Sequence, residues 1–200
     1  IMSLLVDFKD MQDARARLHK AVRHTPVMPL ARNATEIGAE KLYIKCENLQ
    51  VTGAYKVRAA FTMLDRLCAA QKAKGVVLAS SGNFAQGFAY AGRLMGIPIE
   101  VVFCEDALAR QPMVEEVAAA RGMTAIDTWE EYWITAGHAS LGFEMCEDLP
   151  DVEQVLVPVS SGGVAGGVAA AVKHLRPDVR VIGVQPERAN AAYVSRQAGT

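Results

Sequence analysis

Apolar residues recur along the chain in two rhythms, and the chain switches between them several times. From Lys56 onward, Val57, Ala60, Phe61, Leu64, Leu67 and Cys68 keep the three-and-four spacing of a helix with one buried face. This predicts a helix from Lys56 to about Lys74, stopped by Gly75. Val76-Val77-Leu78-Ala79 follows, a short continuous apolar run of the kind found in a parallel strand covered on both faces. The alternation then repeats. Helices are predicted over residues 11–22, 31–37, 85–95, 112–121, 130–147 and 166–175, with Gly38, Gly96, Pro98 and Pro177 as stops. Strands are predicted over 41–46 (half-buried), 99–103 (buried), 155–159 and 180–184, and Thr25-Pro26 and Pro29 enforce extended chain as far as Leu30. Strands alternating with helices predict an open, mostly parallel α/β sheet that gathers ligands at the carboxyl ends of its strands.

Composition narrows the class of function. A chain of 200 residues with 51% hydrophobic residues can bury a substantial core as one domain or two small ones. The 21 Lys+Arg nearly balance the 22 Asp+Glu, so there is no electrostatic footprint for nucleic acid or an acidic membrane. No apolar run reaches membrane-spanning length, and Asp7, Lys9 and Asp10 interrupt the apolar start. Cys46, Cys68, Cys104 and Cys146 form no C-x-x-C pair and stand among apolar neighbours, which predicts buried, reduced thiols and a cytoplasmic location. His19, His24, His138 and His174 share no ligand spacing, and His138, within Ala136-Gly137-His138-Ala139-Ser140, is a candidate to line a cleft. Glu115-Glu116 and Glu130-Glu131 read as solvated helix surface, and Trp129 and Trp133, four apart, as packing residues of one helix.

Candidate chemistry lies in three stretches. Lys56 falls in the first turn of its helix after Thr52-Gly53, where the positive end of the helix favours a neutral, nucleophilic amine; a solvated lysine lying past Tyr55 is the other reading. The strand-to-helix loop Ser80-Ser81-Gly82-Asn83 offers hydroxyls, an amide and free helix N–H groups to a carboxylate, or is only a capped turn. The loop from Ser160 through Gly163 into Val164-Ala165-Gly166-Gly167 aims successive N–H groups at a phosphate. It lacks both the P-loop and the dinucleotide signatures, so another phosphorylated cofactor is required.

These three motifs, in this order, make the chain similar to the fold-type-II pyridoxal-phosphate enzymes: K-x-E-N-L-Q-x-T-G-x-Y-K-x-R-x-A over residues 45–60, S-S-G-N at 80–83, and V-P-V with its glycine-rich sequel from 157. The resemblance runs from about Thr25 to Pro186 and is strongest to the threonine/serine dehydratase and serine racemase branch. It implies a tryptophan-synthase-β-like fold of open, mostly parallel sheets flanked by helices. The implied division is a large domain (1–72 and 131–200) and a smaller mobile domain (73–130).

By resemblance, Lys56 is the lysine that holds pyridoxal 5'-phosphate as a Schiff base and then removes the Cα proton. Tyr55 lies beside the cofactor ring, Asn83 bonds the ring hydroxyl, and Ser160, Ser161, Gly162, Gly163 and Val164 cradle the phosphate, with serines at 160 and 161 where the family usually has glycines. Ser80, Ser81, Gly82 and Asn83 receive the substrate. Ser81 stands where dehydratases often have alanine and serine racemases a second base, so it either caps the turn or serves the opposite cofactor face. The implied reaction removes water from L-threonine or L-serine to give a 2-oxo acid and ammonia, in a homodimer.

Rival readings are a serine racemase, a hydroxyaspartate or other β-hydroxy amino acid dehydratase, a β-replacement synthase, and a non-catalytic binding remnant. Some relatives hold a divalent cation through acidic residues at the positions of Gln185 and near Ala191; with no carboxylate at either and Glu187 out of register, no metal is expected here. Between Phe103 and Trp129 the chain is shorter than the family pattern by roughly one strand-plus-helix piece. By resemblance, the segment carrying the partner of the pyridine nitrogen is expected to follow Thr200.

Overall fold

The computed structural model describes residues 6–18, 20, 22–106, 108–129 and 131–199. In chain order the elements are α1 (Phe8–Leu18), β1 (Val27–Pro29), α2 (Ala31–Glu36), β2 (Tyr43–Lys45), α3 (Lys56–Arg66), α4 (Ala69–Lys74), β3 (Val76–Ala79), α5 (Asn83–Met95), β4 (Ile99–Val102), α6 (Arg110–Arg121), β5 (Thr124–Ile126), α7 (Tyr132–Asp148), β6 (Gln154–Pro158), α8 (Gly163–Leu175), β7 (Arg180–Val184) and α9 (Ala191–Ala198). Parallel pairing dominates, as expected of βα alternation: one sheet has the order β4-β3-β5, all parallel, and β6 pairs parallel with β7. β1 and β2 form a separate antiparallel ribbon.

Two helices carry the core. Every α3 residue from Val57 to Leu64 is buried, and so is every α7 residue from Ile134 to Glu144. Burying side chains such as Val57 and Leu64, both fully enclosed, contributes about 1.5–3 kcal/mol each. One hydrophobic cluster joins α3 to α5 and β3, and Trp133 connects it to a second cluster built from α1, α7 and α8. α8 packs on the other side over Val155 and Val157 of β6.

Several expectations need correction. α3 stops at Arg66, because Leu67 turns extended and inserts into the core while the Cys68 N–H bonds Gln71 Oε1 at 2.9 Å to start α4. This break resets the helical phase, so Cys68 is exposed rather than buried; of the four thiols only Cys46 is buried. α1 begins at Phe8 because Asp7 Oδ1 accepts the N–H of Lys9 at 2.9 Å, and its expected end includes residues 19 and 21, outside those described. β4 is an edge strand, with Val101 38% exposed, so the predicted burial of residues 99–103 does not hold. β2 is not half-buried either, since Tyr43 and Ile44 are both exposed. α7 starts at Tyr132, which leaves Trp129 half exposed before the helix, and Glu130 lies outside the described residues. β5 and α9 have no counterpart in the expected elements.

Candidate active site

Lys56 is the first residue of α3, and the turn before it is fixed by an ion cluster rather than by a side-chain cap. Arg58, two residues on and fully buried, bonds Glu47 at 2.8 and 2.9 Å and Glu144 of α7 at 2.6 and 2.9 Å. Lys45 meets the same Glu144 at 2.7 Å, and Gln50 closes the chain on the backbone of Arg23 at 2.8 Å. Lys45, Glu47, Gln50 and Arg58 of the motif are thus structural: they clamp the segment that presents Lys56.

The Lys56 side chain leaves this clamp between two rings. Its Nζ lies 4.2 Å from the Phe84 ring centre and 4.8 Å from that of Tyr55. Among the described residues it has no hydrogen-bond or ion-pair partner. Burial lowers its pKa from 10.5 to about 8. Desolvation, rather than the helix end, is the cause, and it excludes the freely solvated lysine.

The loop before α5 reaches this amine through Phe84, and the loop before α8 approaches it through Val164, which packs in one cluster with Tyr55. α5 presses its Gly87 on the start of α3, where a Cβ would lie 3.2 Å from Val57 backbone atoms, and this brings Phe84 and the loop before it over Lys56. Ser80 Oγ accepts the N–H groups of Gly82 at 3.3 Å and Ala85 at 3.2 Å, so the capped-turn reading is correct for its lone pairs while its O–H stays available as a donor. Ser81, Gly82 and Asn83 are exposed, and Asn83 opens α5. On the other loop Ser160 and Ser161 are exposed. Gly162 has φ +98, which admits only glycine without strain, and precedes the first turn of α8. The Val164 side chain is buried against the cluster that includes Tyr55, which leaves its N–H as the group it can offer a ligand.

Phe84, outside the predicted set, and His138, the expected cleft candidate, complete the cleft. Phe84 flanks Lys56, and its ring centre is 6.1 Å from that of His138; Tyr55 meets His138 at 5.1 Å. His138 is 1% exposed and its Nδ1 lacks a partner. Burial, then the charges of Lys56 and Arg58, hold this imidazole neutral, well below its usual pKa. The other histidines lie elsewhere: His24 pairs with Asp148 at 2.8 Å, His174 stacks on Phe8, and His19 lies outside the described residues. Gln185 ties Val159 to the start of α9, and no group of three or more His, Cys, Asp or Glu placed to hold a metal ion is found among the described residues. Nor is any described helix long and apolar enough to cross a membrane.

The cleft suits pyridoxal phosphate: a desolvated amine between two rings, a helix N-terminus behind a left-handed glycine, and a buried ring nitrogen without a partner. The sequence pattern of the pyridoxal-phosphate dependent enzymes matches residues 18–111 and 103–200, two stretches that overlap over residues 103–111. The catabolic L-threonine dehydratase of Staphylococcus aureus is 33% identical over 205 residues, covering 92% of this chain and 59% of its own. The L-threonine ammonia-lyase of Geobacter sulfurreducens is 35% identical, covering 94% of this chain and 52% of its own. The chain therefore spans between half and three-fifths of these relatives. Maize serine racemase superposes with a TM-score of 0.92 at 29% identity, over 98% of this chain and 67% of its own. The processed threonine deaminase isoform 2 of Solanum lycopersicum gives 0.88 at 26%, over 96% and 59%. The chain belongs to the pyridoxal-phosphate dependent enzymes of fold type II, in the branch of threonine/serine dehydratases and serine racemases.

Proposed function

We propose that the protein to which this chain contributes is an ammonia-lyase that removes water from L-threonine or L-serine, releasing a 2-oxo acid and ammonia. The observation that carries the proposal is the Lys56 amine, with its pKa brought down to about 8 between Tyr55 and Phe84. With that value roughly a tenth of it is free base at pH 7, enough to act as nucleophile and as proton acceptor. Pyridoxal phosphate, when bound, supplies the electron sink that stabilises negative charge at the substrate Cα.

The chain's own groups supply the rest. Lys56 Nζ takes the Cα proton. The Ser80 O–H and the first N–H groups of α5 hold the substrate carboxylate, with Gly82 allowing close approach. Asn83 bonds the cofactor ring hydroxyl, Tyr55 packs beside the ring, and the N–H groups of Gly162, Gly163 and Val164, with the Ser160 and Ser161 hydroxyls, hold the phosphate. The segment 73–130 acts as the smaller mobile unit, and the working protein is a cytoplasmic homodimer.

A second reading, serine racemase, is favoured by Ser81, an exposed hydroxyl without a hydrogen-bond partner among the described residues. The test is a visible spectrum with pyridoxal phosphate, before and after L-threonine or L-serine, beside Lys56→Ala. A band absent from Lys56→Ala together with 2-oxo acid release is the expected result; D-serine instead selects the racemase, and no band refutes both.

A further inference from the structure

The buried face of α7 carries polar side chains that the ion cluster does not use. Ser140 and Glu144 serve Arg58, whereas Thr135 and His138, one helical turn nearer the start of the helix, do not. His138 is 1% exposed with Nδ1 closed off and unpaired, and Thr135, 8% exposed, points its hydroxyl toward the same region, where a methyl group on Gly163 would lie 3.8 Å from Oγ1. Leaving an imidazole nitrogen unpaired in a core is unfavourable unless a partner arrives.

Both groups face the same small space. A methyl group placed on Gly163 would lie 3.8 Å from His138 Cδ2 and 3.8 Å from Thr135 Oγ1. A half-turn of the imidazole about Cβ–Cγ exchanges Cδ2 with Nδ1, which then faces the first turn of α8. This proximity depends on Gly167, whose backbone lies so close to α7 that a Cβ would come within 2.4 Å of the Thr135 carbonyl oxygen. The rings of Tyr55 and Phe84, which flank Lys56 Nζ, also border His138. The positive end of α8, the His138 imidazole and the Thr135 hydroxyl therefore meet, and the rings of Tyr55 and Phe84 connect them to Lys56.

We propose that Thr135 and His138 form the second wall of the anion cradle and hydrogen-bond the phosphate that enters the loop of residues 160–163. This rests on the reading of the cleft as a pyridoxal-phosphate site. A neutral imidazole with one N–H and a hydroxyl each donate to a phosphate oxygen from α7, while the α8 N–H groups donate from the opposite side. The two helices then grip one group, and the cradle becomes part of the packed core.

The test compares the affinities of pyridoxal phosphate and of pyridoxal, which lacks the phosphate, for wild type, Thr135→Val, His138→Phe and His138→Gln, followed by absorption and tryptophan fluorescence. Thr135→Val and His138→Phe should each weaken pyridoxal phosphate about tenfold and leave pyridoxal unchanged. His138→Gln, which keeps a donor, should stay within about threefold of wild type. Equal weakening of both ligands, or no change in either, overturns the proposal. Should circular dichroism show His138→Phe unfolded, Thr135→Val alone decides on the same criterion. A wild type that binds through its phosphate yet releases no 2-oxo acid sinks the lyase and leaves the cradle standing; one that binds neither ligand removes both.

Discussion

Replacing Lys56 by Met should stabilise the ligand-free protein while abolishing cofactor attachment. Burial lowers the Lys56 pKa from 10.5 to about 8, so folding at neutral pH keeps an ammonium in surroundings that disfavour its charge. At ~1.36 kcal/mol per pH unit the difference corresponds to at most about 3 kcal/mol. Lys56 keeps part of its surface in water, which screens the effect, and its contacts with Phe84 and Tyr55 return about 0.5–1 kcal/mol, so about 1 kcal/mol of net destabilisation remains. Methionine keeps the alkyl stem on the same rings without the charge. The melting temperature should therefore rise by ~2–4 °C at pH 7. The pH dependence has a definite sign. Below about 8 both folded and unfolded chains hold the proton and the whole penalty is present. Between about 8 and 10.5 the unfolded chain binds more protons, so wild-type stability rises with pH while the Met variant lacks this gain. Urea titrations at several pH values across that window should show the gap closing. A variant no more stable than wild type at pH 7, or a gap constant to pH 10, refutes the reasoning.

Glu144→Gln removes the carboxylate that Arg58 and Lys45 share, and should cost about 3 kcal/mol in a urea titration at pH 7. Burial pushes the Glu144 pKa up, but the hydrogen bonds and charges of Arg58 and Lys45 outweigh it and hold the carboxyl below its usual 4.5. Its contribution is present above that value and lost as pH falls through the lowered one, so the variant should lose less stability than wild type between pH 5 and 3. Gly167→Ala forces a methyl group on the Thr135 carbonyl and should cost about 1–3 kcal/mol, with weakened pyridoxal phosphate binding as α8 moves off α7; an unchanged melt contradicts that packing. Ser81→Ala should leave 2-oxo acid release within about threefold if the hydroxyl only lines the loop, and abolish any D-serine product if it is the second base.

The fold was legible wherever one local rule decided the outcome. The continuous apolar run of β3 and the glycine-terminated helices needed no knowledge of what packs against them. Where tertiary contacts override propensity, prediction failed. Nothing local forces the break after Arg66; it occurs because Leu67 has a place in the core, and the exposure of Cys68 follows from it. The site divides in the same way. Lys56 and the two loops are marked by motif, yet Thr135 and His138 become part of it only because glycines bring α8 against α7. A histidine within an apolar helix was the one available signal, and spacing could not relate it to a loop more than twenty residues downstream.

The same packing explains why the motif around Lys56 is dense in residues that touch no ligand. A lysine has a long, flexible stem, and its amine is placed only as well as its Cα. Arg58 fixes that Cα through Glu47 on one side and Glu144 on the other. Glu144 belongs to α7, which also carries Thr135 and His138, and α7 in turn holds the first turn of α8 through Gly167. Nucleophile, imidazole and glycine loop are thus referred to one rigid helix. A change at Glu144, two turns from the cleft, should then displace the amine and the cradle relative to each other, lowering turnover of bound substrate more than cofactor affinity. Equal losses in both would show that the ion cluster only stabilises the fold.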